Sequence, residues 1–212
     1  MEPSFWQGRW DAQQIGFHEG KPNRFLERYA DRLGGGSVLV PLCGKSADLD
    51  ALAARRFDVT GIELIERAVL DYFGERGEVP TPERLDGAEI FSARGVTVVR
   101  GDALTCPLPR PTFDALFDRA ALIALPREMR PRYAARTLEL LRPGGRILLV
   151  TLEHDAPSGP PFDVSRVEVE EHYAGACSLE ELTFEDVLPR SGNLVAKGAT
   201  RVGERVYLLE KR

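Results

Sequence analysis

The sequence predicts an α/β fold, a parallel sheet with helices on both faces. Three observations carry this. From Val38 onward, short apolar runs alternate with stretches of helical spacing, the rhythm of strand–helix–strand units. The apolar runs are nearly continuous, as strands are when both sheet faces are covered. Acidic, basic and glycine residues follow directly after those runs, where open α/β sheets bind their ligands.

The elements follow in order. Asn23 to Leu33 places Phe25, Leu26, Tyr29 and Leu33 at helical spacing, and Gly34-Gly35-Gly36 ends that helix. Val38-Leu39-Val40 is a buried strand. Ser46 to Arg56, with Leu49, Leu52 and Ala53 on one face, is a helix. Residues 57–63 form a second strand, and Ile65 to Phe73 the next helix. Residues 74–95 hold Gly, Pro and charges and read as a long connection with a short hairpin arm. Val96-Thr97-Val98-Val99 is a third strand, ending at Arg100-Gly101-Asp102, and residues 113–118 are a fourth. Arg127 to Leu141 is a helix in which Pro131 fits only the first turn, because further in it would remove a hydrogen bond and clash. Residues 146–152 form a fifth strand. The Gly/Pro stretch 158–162 leads to a helix near 166–174 and two late strands near 182–187 and 205–210.

A length of 212 residues suits one domain, 1–212, with residues 1–33 as an N-terminal lid or helical extension. The charge balance is 28 Lys+Arg against 33 Asp+Glu, a net charge of −5. That argues against nucleic acid as a partner, whose footprint would be a basic stripe. No uncharged apolar run approaches the roughly 18 residues of a membrane span. Met1 to Trp6 lack the basic start and apolar run of a secretory signal. Cys43, Cys106 and Cys177 are widely spaced with no CxxC, and His18, His154 and His172 sit in unrelated segments. No metal is therefore expected, the thiols read as buried and reduced, and a cytoplasmic location follows. A monomer is expected.

The candidate site lies at the strand ends. Glu63 closes the second strand about twenty residues past the first turn, a position suited to gripping ribose hydroxyls in nicotinamide and adenosyl ligands alike. The first turn, Pro41-Leu42-Cys43-Gly44-Lys45-Ser46, has one glycine where a dinucleotide fingerprint needs three. It also imitates the end of a P-loop, but the required earlier glycine is replaced by Leu39. A tight turn for a ligand without phosphates remains, and S-adenosylmethionine is such a ligand. Asp102 could accept from an adenine amino group. Arg119 either makes a salt bridge or stands as a fixed cation at the site mouth. Trp6, Trp10 and Phe17 lie in a stretch without a strand or long-helix pattern. They are expected to pack, or to close an apolar lid whose rings would attract a sulfonium. His18 reads as a packed or capping histidine.

Taken together, these segments resemble the thiopurine S-methyltransferase family. The resemblance rests on Phe5-Trp6, Arg9-Trp10, Ile15-Gly16-Phe17-His18, Pro41-Leu42-Cys43-Gly44-Lys45-Ser46, Gly61-Ile62-Glu63-Leu64, Asp118-Arg119-Ala120-Ala121-Leu122 and Gly159-Pro160-Pro161-Phe162. It implies a Rossmann-like class I methyltransferase fold: a seven-stranded, mostly parallel sheet with helices on both faces, an antiparallel last strand and an N-terminal aromatic lid. It implies S-adenosylmethionine as methyl donor and a small aromatic or heterocyclic thiol, or a selenium or tellurium compound, as acceptor. Trp6, Trp10, Leu42, Glu63, Asp102, Ala103 and Arg119 would hold the donor. Phe17 and Arg119 would meet the acceptor, with Arg119 as the catalytic residue. A second arginine that mammalian members use aligns with Asn193 here, with Arg190 nearby. A nicotinamide-dependent reductase and a non-catalytic adenosyl-ligand-binding protein are the alternatives.

Overall fold

The computed structural model describes residues 3–16, 18–110, 112–157 and 159–212. Its elements are α1 (Pro3–Asp11), α2 (Arg24–Tyr29), β1 (Ser37–Pro41), α3 (Asp48–Ala54), β2 (Asp58–Glu63), α4 (Glu66–Gly74), β3 (Glu83–Leu85), β4 (Ala88–Ala93), β5 (Val96–Arg100), β6 (Phe113–Arg119), α5 (Arg130–Leu140), β7 (Leu141–His154), α6 (Arg166–Tyr173), β8 (Cys177–Asp186), α7 (Gly192–Val195) and β9 (Val202–Lys211). All strands join one sheet in the order β3-β4-β5-β2-β1-β6-β7-β9-β8. The run β5-β2-β1-β6-β7 is parallel, and β9 runs antiparallel between β7 and β8.

The period of two along each strand sorts the core into two layers. On β1, Val38 and Val40 face a cluster with Phe25 and Leu26 of α2, Leu49 and Leu52 of α3, and Val69 and Phe73 of α4. Leu39 faces the other cluster, with Tyr133 of α5 and Val169 and Tyr173 of α6. Helices thus cover both faces, which is why the central strands are largely apolar. α2 begins at Asn23, whose side chain accepts from the Phe25 N–H at 2.9 Å, the ordinary N-cap bond. The Asn23 N–H in turn donates to Asp48 Oδ1 at 2.6 Å, which ties α2 to the start of α3.

The sheet has nine strands rather than seven. The expected set is there, and residues 83–93 extend the β5 edge by two antiparallel strands. Both new connections are two-residue loops with left-handed backbone at each position: Asp86 and Gly87 (φ 47° and 89°), then Arg94 and Gly95 (φ 52° and 77°). That geometry matches the right-handed twist of the flanking strands. Within the N-terminal extension, Pro3–Asp11 forms a helix that the sequence reading did not place individually. Trp10 is buried against Ile65 and Ala68, with Trp6, Ile15 and Leu64 packed around them. α5 begins three residues late because Arg127–Met129 forms a tighter 3-10 turn. β8 begins at Cys177, earlier than expected.

The chain runs outward from β1 through β2 to β5, then crosses back to β6 on the other side of β1. The crevice at that reversal opens at the carboxyl ends of β1, β2, β5 and β6, the ligand position of open α/β sheets.

Candidate active site

The turn after β1 is pinned onto β2. Leu42 adopts a left-handed backbone (φ 48°), a costly conformation for a branched residue and one that collects at functional sites. The Cys43 N–H then donates to Ile62 O at 3.0 Å, and the Gly44 N–H donates to Glu63 Oε2 at 2.8 Å. This close approach requires Gly61: a Cβ there would lie 2.6 Å from Cys43 Sγ. Cys43 is fully enclosed, and burial pushes its thiol well up, so it packs and is no thiolate nucleophile.

Glu63 is nearly inaccessible and still lines the cleft. Its Oε1 accepts from the Ile65 N–H at 2.7 Å and its Oε2 from Gly44. Burial lifts the carboxyl above the usual range, while the backbone amides of Ile65, Gly44 and Leu64 pull it back down. Each oxygen keeps capacity for a second donor. The carboxylate is therefore fixed in place and ready to accept two hydroxyls. The Gly101 N–H donates to Glu63 O at 2.9 Å, which joins the end of β5 to the end of β2. Asp102 follows, exposed at the cleft edge, with Oδ1 accepting from the Leu104 N–H at 2.9 Å. Ala103 beside it is half-buried.

The end of β6 separates two adjacent charges. Asp118 turns inward, accepting from Tyr133 Oη–H at 2.8 Å and from the Leu122 N–H at 3.1 Å, and burial pushes its carboxyl up to about 6. Arg119 turns into the cleft and pairs with Glu19, from the segment between α1 and α2. His18 is half-buried on the cleft wall, where burial, then Lys45, holds its imidazole below the usual value.

The cleft has a volume of about 1220 Å³. Trp6, Trp10, Leu42, Glu63, Asp102, Ala103 and Arg119 all line it. Phe17 lies outside the described residues. Arg190 and Asn193 line the same space. A Cβ on Gly16 would lie 3.1 Å from Asn193 Nδ2, so the N-terminal segment passes directly over α7. Sequence reasoning missed Glu19 and the backbone N–H of Gly44. Nothing local marks Glu19 in the sequence, since its partner is 100 positions away.

One feature bears on which ligands fit. A pyrophosphate needs free backbone N–H groups at the first helix, but the Gly44 N–H is committed to Glu63. The first turn of α3 carries Asp48 and Asp50. Asp48 is buried there, accepting from Asn23 N–H and from Ser46 Oγ–H. Neither carboxylate lines the cleft: Asp48 faces Asn23 and Ser46, and Asp50 pairs with Arg76. A phosphate-free nucleoside such as S-adenosylmethionine fits these residues. Among the described residues, no cluster of three His, Cys, Asp or Glu side chains could hold a metal ion. No helix among them is long and apolar enough to cross a membrane.

Comparison with known proteins places these observations in a family. Residues 1–212 match the family model described as Thiopurine S-methyltransferase. A Thiopurine S-methyltransferase of Pseudomonas paraeruginosa is 42% identical over 217 residues, covering 100% of both chains. One from Vibrio cholerae is 40% identical over 218 residues, covering 99% of this chain and 98% of the other. Among solved structures, the Burkholderia thailandensis 1,6-didemethyltoxoflavin-N1-methyltransferase with bound S-adenosylhomocysteine superposes with a TM-score of 0.71 at 18% identity, covering 99% of this chain and 86% of that one. TehB from Haemophilus influenzae gives 0.64 at 14% identity, covering 90% and 62%. The chain shares the fold of these solved structures, a class I methyltransferase fold.

Proposed function

Because the chain belongs to the thiopurine S-methyltransferase family, we propose that it transfers a methyl group from S-adenosylmethionine to the sulfur of a small aromatic or heterocyclic thiol, or to selenium or tellurium in comparable acceptors. The observation that carries the reading is the carboxylate of Glu63, locked by the N–H groups of Gly44 and Ile65 and turned to the cleft. S-adenosylmethionine, when bound, supplies an electrophilic methyl group on a sulfonium. Glu63 would hold the ribose hydroxyls, Asp102 and Ala103 would border the adenine, and Leu42 would pack against the nucleoside. Trp6 and Trp10 would cover the cationic end, where aromatic faces attract a cation by about 0.5–2 kcal/mol.

Arg119 would steady the acceptor's negative charge and orient it. An aromatic thiol is already largely ionised near neutral pH, so the site needs no strong base. Positioning of the two reactants would supply much of the rate, and exclusion of water by the lid would avoid solvating the charges that meet. All these residues come from one chain, and a monomer is the proposed active form. Three buried, free cysteines suit a reducing compartment, and the cytoplasm is the proposed location.

The test is release of S-adenosylhomocysteine when the protein is mixed with S-adenosylmethionine and a panel of aryl thiols, thiopurines and selenium or tellurium oxyanions. Turnover of at least one aryl thiol is expected. Binding of S-adenosylmethionine without turnover of any acceptor would instead mark a non-catalytic binding protein. Tight NADH binding with none for S-adenosylmethionine would favour the reductase.

A further inference from the structure

Arg119 is not a bare cation at the cleft. Glu19 reaches it from the segment that links α1 to α2, across 100 positions of sequence. Both side chains line the cleft, and both keep contact with solvent, at 19% for Arg119 and 38% for Glu19. The pair also acts on its surroundings: Arg119 lowers the buried Asp48 carboxyl electrostatically, and Glu19 raises it. An anionic group brought to the Arg119 guanidinium therefore meets a carboxylate already there. It must displace that carboxylate or lie beside it, and like charges held close repel.

We propose that Glu19 is a specificity determinant: it biases the acceptor site against substrates that carry a carboxylate in addition to the reacting thiolate. A ring thiol whose single charge is on sulfur can share Arg119 with Glu19. A 2-mercaptobenzoate brings a second charge beside the sulfur and competes with Glu19 for the same guanidinium. Because the pair is solvent-accessible, the bias is modest, and a single amide substitution should relieve it. This assignment rests on the role proposed above for Arg119.

The experiment compares kcat/KM for 2-mercaptobenzoate with kcat/KM for thiophenol in the wild type and in Glu19→Gln. The ratio of the two should rise about two- to fivefold in the variant, the worth of an exposed ion pair. A general loss of folding or activity would lower both terms and leave the ratio unmoved, so the ratio reports selectivity alone. The rise should vanish when Glu19→Gln is combined with Arg119→Met. An unchanged or lower ratio in Glu19→Gln overturns the proposal. Arg119→Met alone separates this from failure of the underlying reading. If it leaves kcat/KM for both thiols unaltered, Arg119 does not meet the acceptor and both ideas fall. If it lowers kcat/KM while the Glu19→Gln ratio stays flat, only the role of Glu19 falls.

Discussion

Glu63 illustrates what one position in a chain can disclose. Its place at the end of a strand, after a glycine-poor turn, was readable as a ribose grip. Its partners were not: the N–H donors of Gly44 and Ile65 depend on how the turn folds back onto β2. Glu63→Gln should weaken S-adenosylmethionine binding roughly tenfold or more, since a hydrogen bond to a charged group contributes about 1.5–3 kcal/mol. Calorimetry showing undiminished donor affinity would remove the residue from the site. Arg119→Lys should lower kcat/KM by roughly tenfold, because a point charge cannot replace a planar fork; steady-state kinetics with thiophenol measure this. Asp118 carries a pH signature. Its folded carboxyl sits at about 6, above the 3.8 of an unperturbed aspartate. The folded state therefore binds the proton more tightly. The contribution of Asp118 to stability is fully present below about 4 and is lost as pH rises through about 6. Asp118→Asn removes that dependence. Its melting temperature relative to wild type should climb between pH 4.5 and 7.5, and a constant difference would contradict the assignment.

Among the elements, the central strands were plain in the sequence because burial on both faces leaves an unbroken apolar run. The β3–β4 hairpin was only half legible. Asp86-Gly87 is a strong turn signal, but Arg94-Gly95 is not, and β3 is only three residues long. β8 was read short because its residues are largely exposed or half-buried and mixed with glutamates, as an edge strand tolerates. α1 was missed because polar residues surround its two tryptophans and it shows almost no amphipathic pattern; its burial comes from Ile65 and Ala68 of a distant segment. α5 and α6 are joined by a buried ion pair, Arg130 Nη1 to Glu168 Oε1 at 2.8 Å. Arg130 also donates to Leu125 O and Asp163 O. Glu168→Ala would leave a buried guanidinium without its counter-charge and should cost about 3–5 kcal/mol in a denaturant titration. Gly61→Ala should cost about 1–3 kcal/mol by driving a methyl group into Cys43.

For the molecule as a whole, strand order and chain reversal bring together residues from four strand ends and an N-terminal segment. The alternation of elements and the motifs at strand ends made the crevice legible. The contacts that close it, Glu19 on Arg119 and Gly16 over Asn193, join segments 100 or more positions apart and left no local mark. The first turn of the crevice bears on its ligands: the Gly44 N–H, spent on Glu63, is not available to a dinucleotide's phosphate. The most direct trial of this account is a crystal structure of the protein with S-adenosylhomocysteine. Both ribose hydroxyls should lie within hydrogen-bond distance of the Glu63 carboxylate, with Leu42 against the nucleoside. A sugar bound away from Glu63, or a crevice that stays empty at saturating ligand, would contradict it.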